Sequence, residues 1–109
     1  MRNYANMKKW QFSFGDPRTI VFKALSCEHR IKIIEMLKYG EQSVSEIASF
    51  LSLHPSVVSR HLSMLHSAGL IVGRKEGVEV YYRLLSDDVM GLLDAARKIV
   101  EEKKRLTSL

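Results

Sequence analysis

The chain has a single cysteine, two prolines, six glycines and no long apolar run. A lone Cys27 cannot form an intrachain disulfide, so no oxidised framework holds this fold, which suits a reducing compartment. No segment approaches the ~20 consecutive apolar residues that a membrane-spanning helix needs. The opening residues, MRNYANMKKWQFSFG, contain basic side chains. They lack both a continuous apolar segment and a small-residue cleavage site, so no secretory leader is expected. A glycine-rich phosphate loop, a nucleophile with a neighbouring base, and a cluster of metal ligands are all missing from the pattern, so no enzyme and no cofactor is expected. The expected location is the cytoplasm, with no membrane partner.

What is present fits one modest domain. With 109 residues the core is small, and association with a second copy would help it. Apolar residues make up 46% and charged residues 27%, an ordinary globular balance. Net charge is +5, which favours a polyanionic partner without specifying one.

Residues 1–15 show no helical period and hold Tyr4, Trp10, Phe12 and Phe14 among Arg2, Lys8 and Lys9. They read as an extended arm whose aromatics pack on the domain or on a partner subunit. Asp16 and Pro17 mark a helix start, followed by the apolar stripe Ile20, Val21, Ala24 and Leu25. Ser26 reads as the N-cap of a second helix carrying Ile31, Ile33, Ile34, Met36 and Leu37, which Gly40 ends. Ser43 and Glu46 fit a capping box ahead of Ile47, Ala48 and Leu51. Pro55 opens the next helix, which runs to about Ala68 with Gly69 as its stop. Residues 70–75 and 78–84 read as two strands turning at Glu76 and Gly77, with Val78, Val80, Tyr82 and Leu84 on the half-buried side of the second. Ser86 caps a last helix that reaches about Leu106.

The helix from Pro55 is the informative one. At about 100° per residue, Ser56, Ser59, Arg60, Ser63 and Ser67 share one arc, and Val58, His61, Leu62 and Leu65 lie opposite. A solvated helix face is usually rich in Glu and Lys, which form helices better than serine does. Small hydroxyls instead allow close approach to another surface and can bond to base edges or phosphates, and an arginine suits guanine or phosphate. No acidic residue lies between Pro55 and Arg74. Helix, turn, helix and basic hairpin, in that order, present a probe to a DNA major groove. Ser56, Ser59 and Arg60 are therefore candidate base-reading residues, with Ser63 and His54 on the phosphate backbone. Arg74 and Lys75, beside Gly77 at the hairpin tip, are candidates for the flanking groove.

At this point the chain resembles the arsenical-resistance repressor (ArsR) family of winged helix-turn-helix regulators, over roughly residues 17–105. The resemblance rests on KALSCEHRIKIIEML, on SVSEIASFLSLHPSVVSRHLSMLHSAGLI and on VYYRL. It implies a fold that is mainly α with a small β-hairpin, over residues 16–109. It further implies a homodimeric transcriptional repressor on an inverted-repeat operator, commonly released by an effector. Metal sensors of the family often carry Cys-x-Cys where this chain has Ser43 and Ser45, and a hydroxyl is a poor ligand for thiophilic metals. A second family site uses Asp and His on the last helix; Asp87, Asp88 and Asp94 are there, but no histidine follows His66. Cys27 and His29 remain as weak candidates for a metal or redox sensor, which is an alternative reading, as is a winged-helix protein-interaction adaptor.

The last helix carries Val89, Leu92, Leu93, Ala96, Ile99 and Val100, a stripe that outlasts so small a core. The terminal helices are therefore expected to form a dimer interface, with Ile20 and Val21 of the first helix joining these residues.

Overall fold

Five helices and three short strands follow one another along residues 15–108, which the computed structural model describes. In order they are α1 (Arg18–Leu25), α2 (Glu28–Leu37), β1 (Gln42–Ser43), α3 (Val44–Leu51), α4 (Pro55–Ser67), β2 (Ile71–Glu76), β3 (Glu79–Leu84) and α5 (Asp88–Thr107). The arm expected over residues 1–15 lies, apart from Gly15, outside the described residues.

Short polar side chains set the helix starts. The Asp16 carboxylate accepts from the Arg18 backbone N–H at 2.9 Å, and the Arg18 guanidinium lowers the Asp16 pKa by hydrogen bonding to it. At α3 the capping box is complete: the Ser43 hydroxyl accepts from the Glu46 N–H at 3.1 Å, and the Glu46 carboxylate accepts from the Ser43 N–H at 2.9 Å. Ser43 is buried, so its own hydroxyl and N–H depend on these partners rather than on water. Ser43→Ala should cost about 0.5–2 kcal/mol, measured by urea denaturation, because it leaves a helix-end donor unpaired.

Ser26 departs from its expected role. Its hydroxyl donates back to the Lys23 carbonyl at 2.8 Å and closes α1, while Cys27 holds the extended position ahead of α2 with no side-chain cap bond. The strand β1 was not legible, being only two residues long. It joins the hairpin as a third strand, in the order β1-β3-β2, all antiparallel. The hairpin turn also sits one residue later than expected. Glu76 pairs with Glu79, so Gly77 and Val78 form the loop, and Val78 is 98% exposed rather than half-buried. Gly77 takes φ +62°, a left-handed conformation that other residues adopt at a cost.

The core lies where α2, α3 and α4 meet. Ile33, Ile34, Ile47, Val58, Leu62 and Leu65 are fully buried there, and Ile71 extends the core into the sheet. Burying each such side chain stabilises the fold by about 1.5–3 kcal/mol. Val89 belongs to this core, at 5% exposure. It therefore cannot join the expected dimer surface. Val21 and Leu93 are half-buried against the same core, whereas Ile20, Leu92, Ala96, Ile99 and Val100 remain exposed. Phe22, which the sequence did not single out, is exposed beside them on α1. No described helix is long and apolar enough to cross a membrane.

Candidate nucleic-acid interface

The α4 helix is seated by its apolar side and presented by its polar one. Val58, Leu62 and Leu65 anchor it, at 0% exposure each. Ser56, Ser59, Arg60, Ser63 and Ser67 are all exposed, so the arc read from the sequence faces solvent. Among the described residues no carboxylate pairs with Arg60. Its five donors are therefore available to an incoming acceptor.

His54 has a role that its sequence position did not reveal. It is the N-cap of α4, where its Nδ1 accepts from the Ser56 backbone N–H at 3.1 Å and lies 2.8 Å from the Ser56 hydroxyl. That geometry assigns the proton to Nε2, on the outward edge of the ring. Histidine is rarely read as a cap; the signal was an acceptor immediately before a proline at the first helical position.

The wing flanks α4 unevenly. Ser59, Ser63 and His66 of α4 face Gly73, Lys75, Val80 and Tyr82 across a cleft of about 300 Å³. Gly73 lets the strand pass close at the root of this cleft: a Cβ there would lie 3.1 Å from the Tyr82 ring and 3.3 Å from Val80, so those side chains would have to give by a few tenths of an ångström. Strand alternation puts Arg74 on the opposite side from Lys75. Its guanidinium donates to Glu41 at 3.0 Å and to Glu76 at 2.8 Å and lies 5.1 Å from the centre of the Tyr81 ring. Both carboxylates raise the Arg74 pKa, and Arg74 lowers that of Glu41. The two basic wing residues thus differ: Lys75 has no ion pair among the described residues and shares a side with the serine face, and Arg74 is tied to two carboxylates.

The weaker candidates lie at the start of α2. Cys27 is half-buried at the start of α2. His29 is exposed and meets the His61 ring edge-on, with centroids 5.5 Å apart. No group of three or more His, Cys, Asp or Glu side chains among the described residues could hold a metal ion. At the Cys-x-Cys position, the Ser43 hydroxyl is committed to the α3 cap.

A capped helix-turn-helix with an exposed polar probe helix and a flanking wing defines a winged helix-turn-helix DNA-binding domain. Comparison with known proteins gives the family. The profile of bacterial regulatory proteins of the arsR family matches residues 27–72. The transcriptional activator HlyU of Vibrio cholerae is 36% identical over 80 residues, covering 73% of this chain and 74% of that one. The transcriptional repressor SdpR of Bacillus subtilis is 33% identical over 82 residues, covering 72% and 91%. The solution structure of the homodimeric winged helix-turn-helix DNA-binding domain of Mb0332 from Mycobacterium bovis superimposes with a TM-score of 0.77 at 30% identity, covering 91% and 92%. A longer mycobacterial relative, Rv0324, is 34% identical over 82 residues, and this chain spans 36% of its length. The chain belongs to the arsR family and is a winged helix-turn-helix transcriptional regulator.

Proposed function

We propose that this chain is a cytoplasmic, homodimeric repressor that binds an inverted-repeat operator and has no enzymatic activity. The observation that carries this reading is the α4 face: four exposed serines around an arginine that no carboxylate holds among the described residues, beside a wing lysine that likewise has no ion pair among them. In this reading Ser56, Ser59 and Arg60 contact bases. Ser63 and the outward Nε2–H of His54 contact phosphates. Lys75 and the Gly77 backbone track the flanking groove. Arg74 would have to give up two ion pairs to reach a phosphate, so it contributes less than Lys75 does.

The dimer follows from apolar surface that one subunit leaves uncovered. Ile20 and Phe22 on α1 and Leu92, Ile99, Val100 and Leu106 on α5 are exposed, Ile99 to 71%. A two-fold related copy would cover this surface and set two probe helices about 34 Å apart, one helical turn of DNA. Neither Ser43 nor Ser45 offers the thiolates of the metal-sensing relatives, so repression here does not depend on that site.

Selection of bound fragments from genomic DNA by the purified protein tests the reading. An inverted repeat with half-sites one turn apart is the expected result; recovery of fragments without a shared sequence would overturn it. On the recovered operator, Lys75→Ala should weaken specific and non-specific duplexes alike. It should also reduce the slope of log K against log salt by about 0.9 per subunit.

A further inference from the structure

We propose that Arg30 and His61 form a proton-sensitive latch that positions the reading helix. Arg30, fixed to the end of α1, holds α4 through the unprotonated Nδ1 of His61, and protonation of that nitrogen releases the hold. This inference rests on the reading of α4 as the DNA-contacting helix.

Arg30 sits on α2 but ties three helices together. Its Nε donates to the Ala24 carbonyl at 2.6 Å and its Nη2 to the Lys23 carbonyl at 3.4 Å, so it covers carbonyls at the end of α1. Its Nη1 reaches α4, lying 3.3 Å from His61 Nδ1 and 3.4 Å from the Met64 sulfur. A guanidinium has donors only. The Arg30–His61 bond therefore exists only while Nδ1 carries a lone pair. Once protonated, Nδ1 becomes a second donor facing the first, and the ring becomes a cation beside a cation.

The surroundings make that protonation costly. From α2 the ring meets His29, 5.5 Å away, and Arg30. From α4 it has Arg60 beside it in the chain, and on the α1 side Lys23 lines the adjoining cleft with Ser63 and Met64. The charged groups that bear on the ring, Arg30, His29 and Arg60, are all basic. Burial, and then the charges of Arg30, His29 and Arg60, hold the His61 pKa below the ordinary imidazole value of 6.5. A group whose folded pKa is depressed gives its full contribution above the unfolded value and loses it as pH falls through the folded value. The latch is thus closed above pH 6.5 and opens below it. Arg60 directly precedes His61, so losing this tie shifts the base-reading guanidinium while Val58, Leu62 and Leu65 keep α4 seated. Phosphate contacts, which tolerate displacement, suffer less.

The test compares specific with non-specific affinity. Fluorescence anisotropy of the wild-type protein on its selected operator and on a scrambled duplex, between pH 7.5 and 5.5, should show the ratio falling below pH 6.5 by up to about tenfold per pH unit for each subunit of the dimer, the limit for one proton per latch. His61→Gln keeps an acceptor for Arg30 and does not titrate, so its ratio should fall less steeply. Subtracting the two profiles removes every pH effect that does not come from His61. Identical profiles for wild type and His61→Gln, with specific binding intact at pH 7.5, would overturn the latch. Loss of operator preference already at pH 7.5 in the wild type would instead overturn the DNA reading. NMR titration of the histidine rings in the full chain decides the latch without DNA. His61 should titrate below 6.5, and Arg30→Met should move its midpoint upward; a midpoint at or above 6.5 in the wild type would contradict the proposal.

Discussion

Arg60→Ala should weaken binding to the selected operator by about 1–3 kcal/mol, or about 5- to 150-fold, for each half-site, and should relax sequence preference at the base pair it reads. The size follows from what the side chain must give up to bind. No carboxylate holds its guanidinium among the described residues, so little is lost when it turns to a guanine edge, and a bidentate contact forms at full strength. Arg74→Ala is the internal comparison. That guanidinium must leave Glu41 and Glu76 before it meets DNA, and its removal should change specific affinity less. Anisotropy titrations of both variants at one salt concentration decide the matter. If Arg74→Ala proves the more damaging of the two, the probe face has been assigned to the wrong element.

Leu62→Ala should lower folding stability by about 2–5 kcal/mol, the range for a large buried aliphatic truncated to alanine. Leu62 is fully buried on the inner side of α4. Truncating it leaves a cavity between the probe helix and the rest of the core. A domain of this size has a total stability of about 5–15 kcal/mol, so the loss is a large fraction of the whole. Urea denaturation measures it through the midpoint at unchanged slope. A shift under about 1 kcal/mol would mean that α4 is not seated on this residue. Leu62 and Arg60 are two positions apart on one helix, yet their variants should separate cleanly. One loses stability with the sequence preference kept by the folded fraction, and the other loses preference with stability kept.

Much of this architecture is legible in the chain because it is local. Pro55 and Gly69 bracket α4, the Ser43 and Glu46 pair brackets the start of α3, and the serine arc follows from helical periodicity alone. The misreadings are also physical. Ser26 and Cys27 both stand at a helix junction, and a serine there can close the preceding helix as readily as it can open the next. Val78 continues an alternating apolar pattern, but a two-residue loop needs one residue beyond Gly77, and Val78 is that residue. Val89 shares a stripe with Leu92 and Ile99, and periodicity does not say which part of a wide stripe faces the subunit's own core.

By itself, the sequence determined the helix-turn-helix, the wing, the polar face of α4 and membership of the arsR family. Each depends on residues close together in the chain or on a contiguous pattern. Only the tertiary structure decided which charges are free. Arg74 and Lys75 are neighbours in sequence, and strand alternation together with Glu41, 33 residues away, separates their roles. Arg30 and His61 are 31 residues apart, and only the packing of α2 on α4 makes them partners. A side chain's donors and charge are fixed by its identity, but whether they are already satisfied depends on what the fold places beside them.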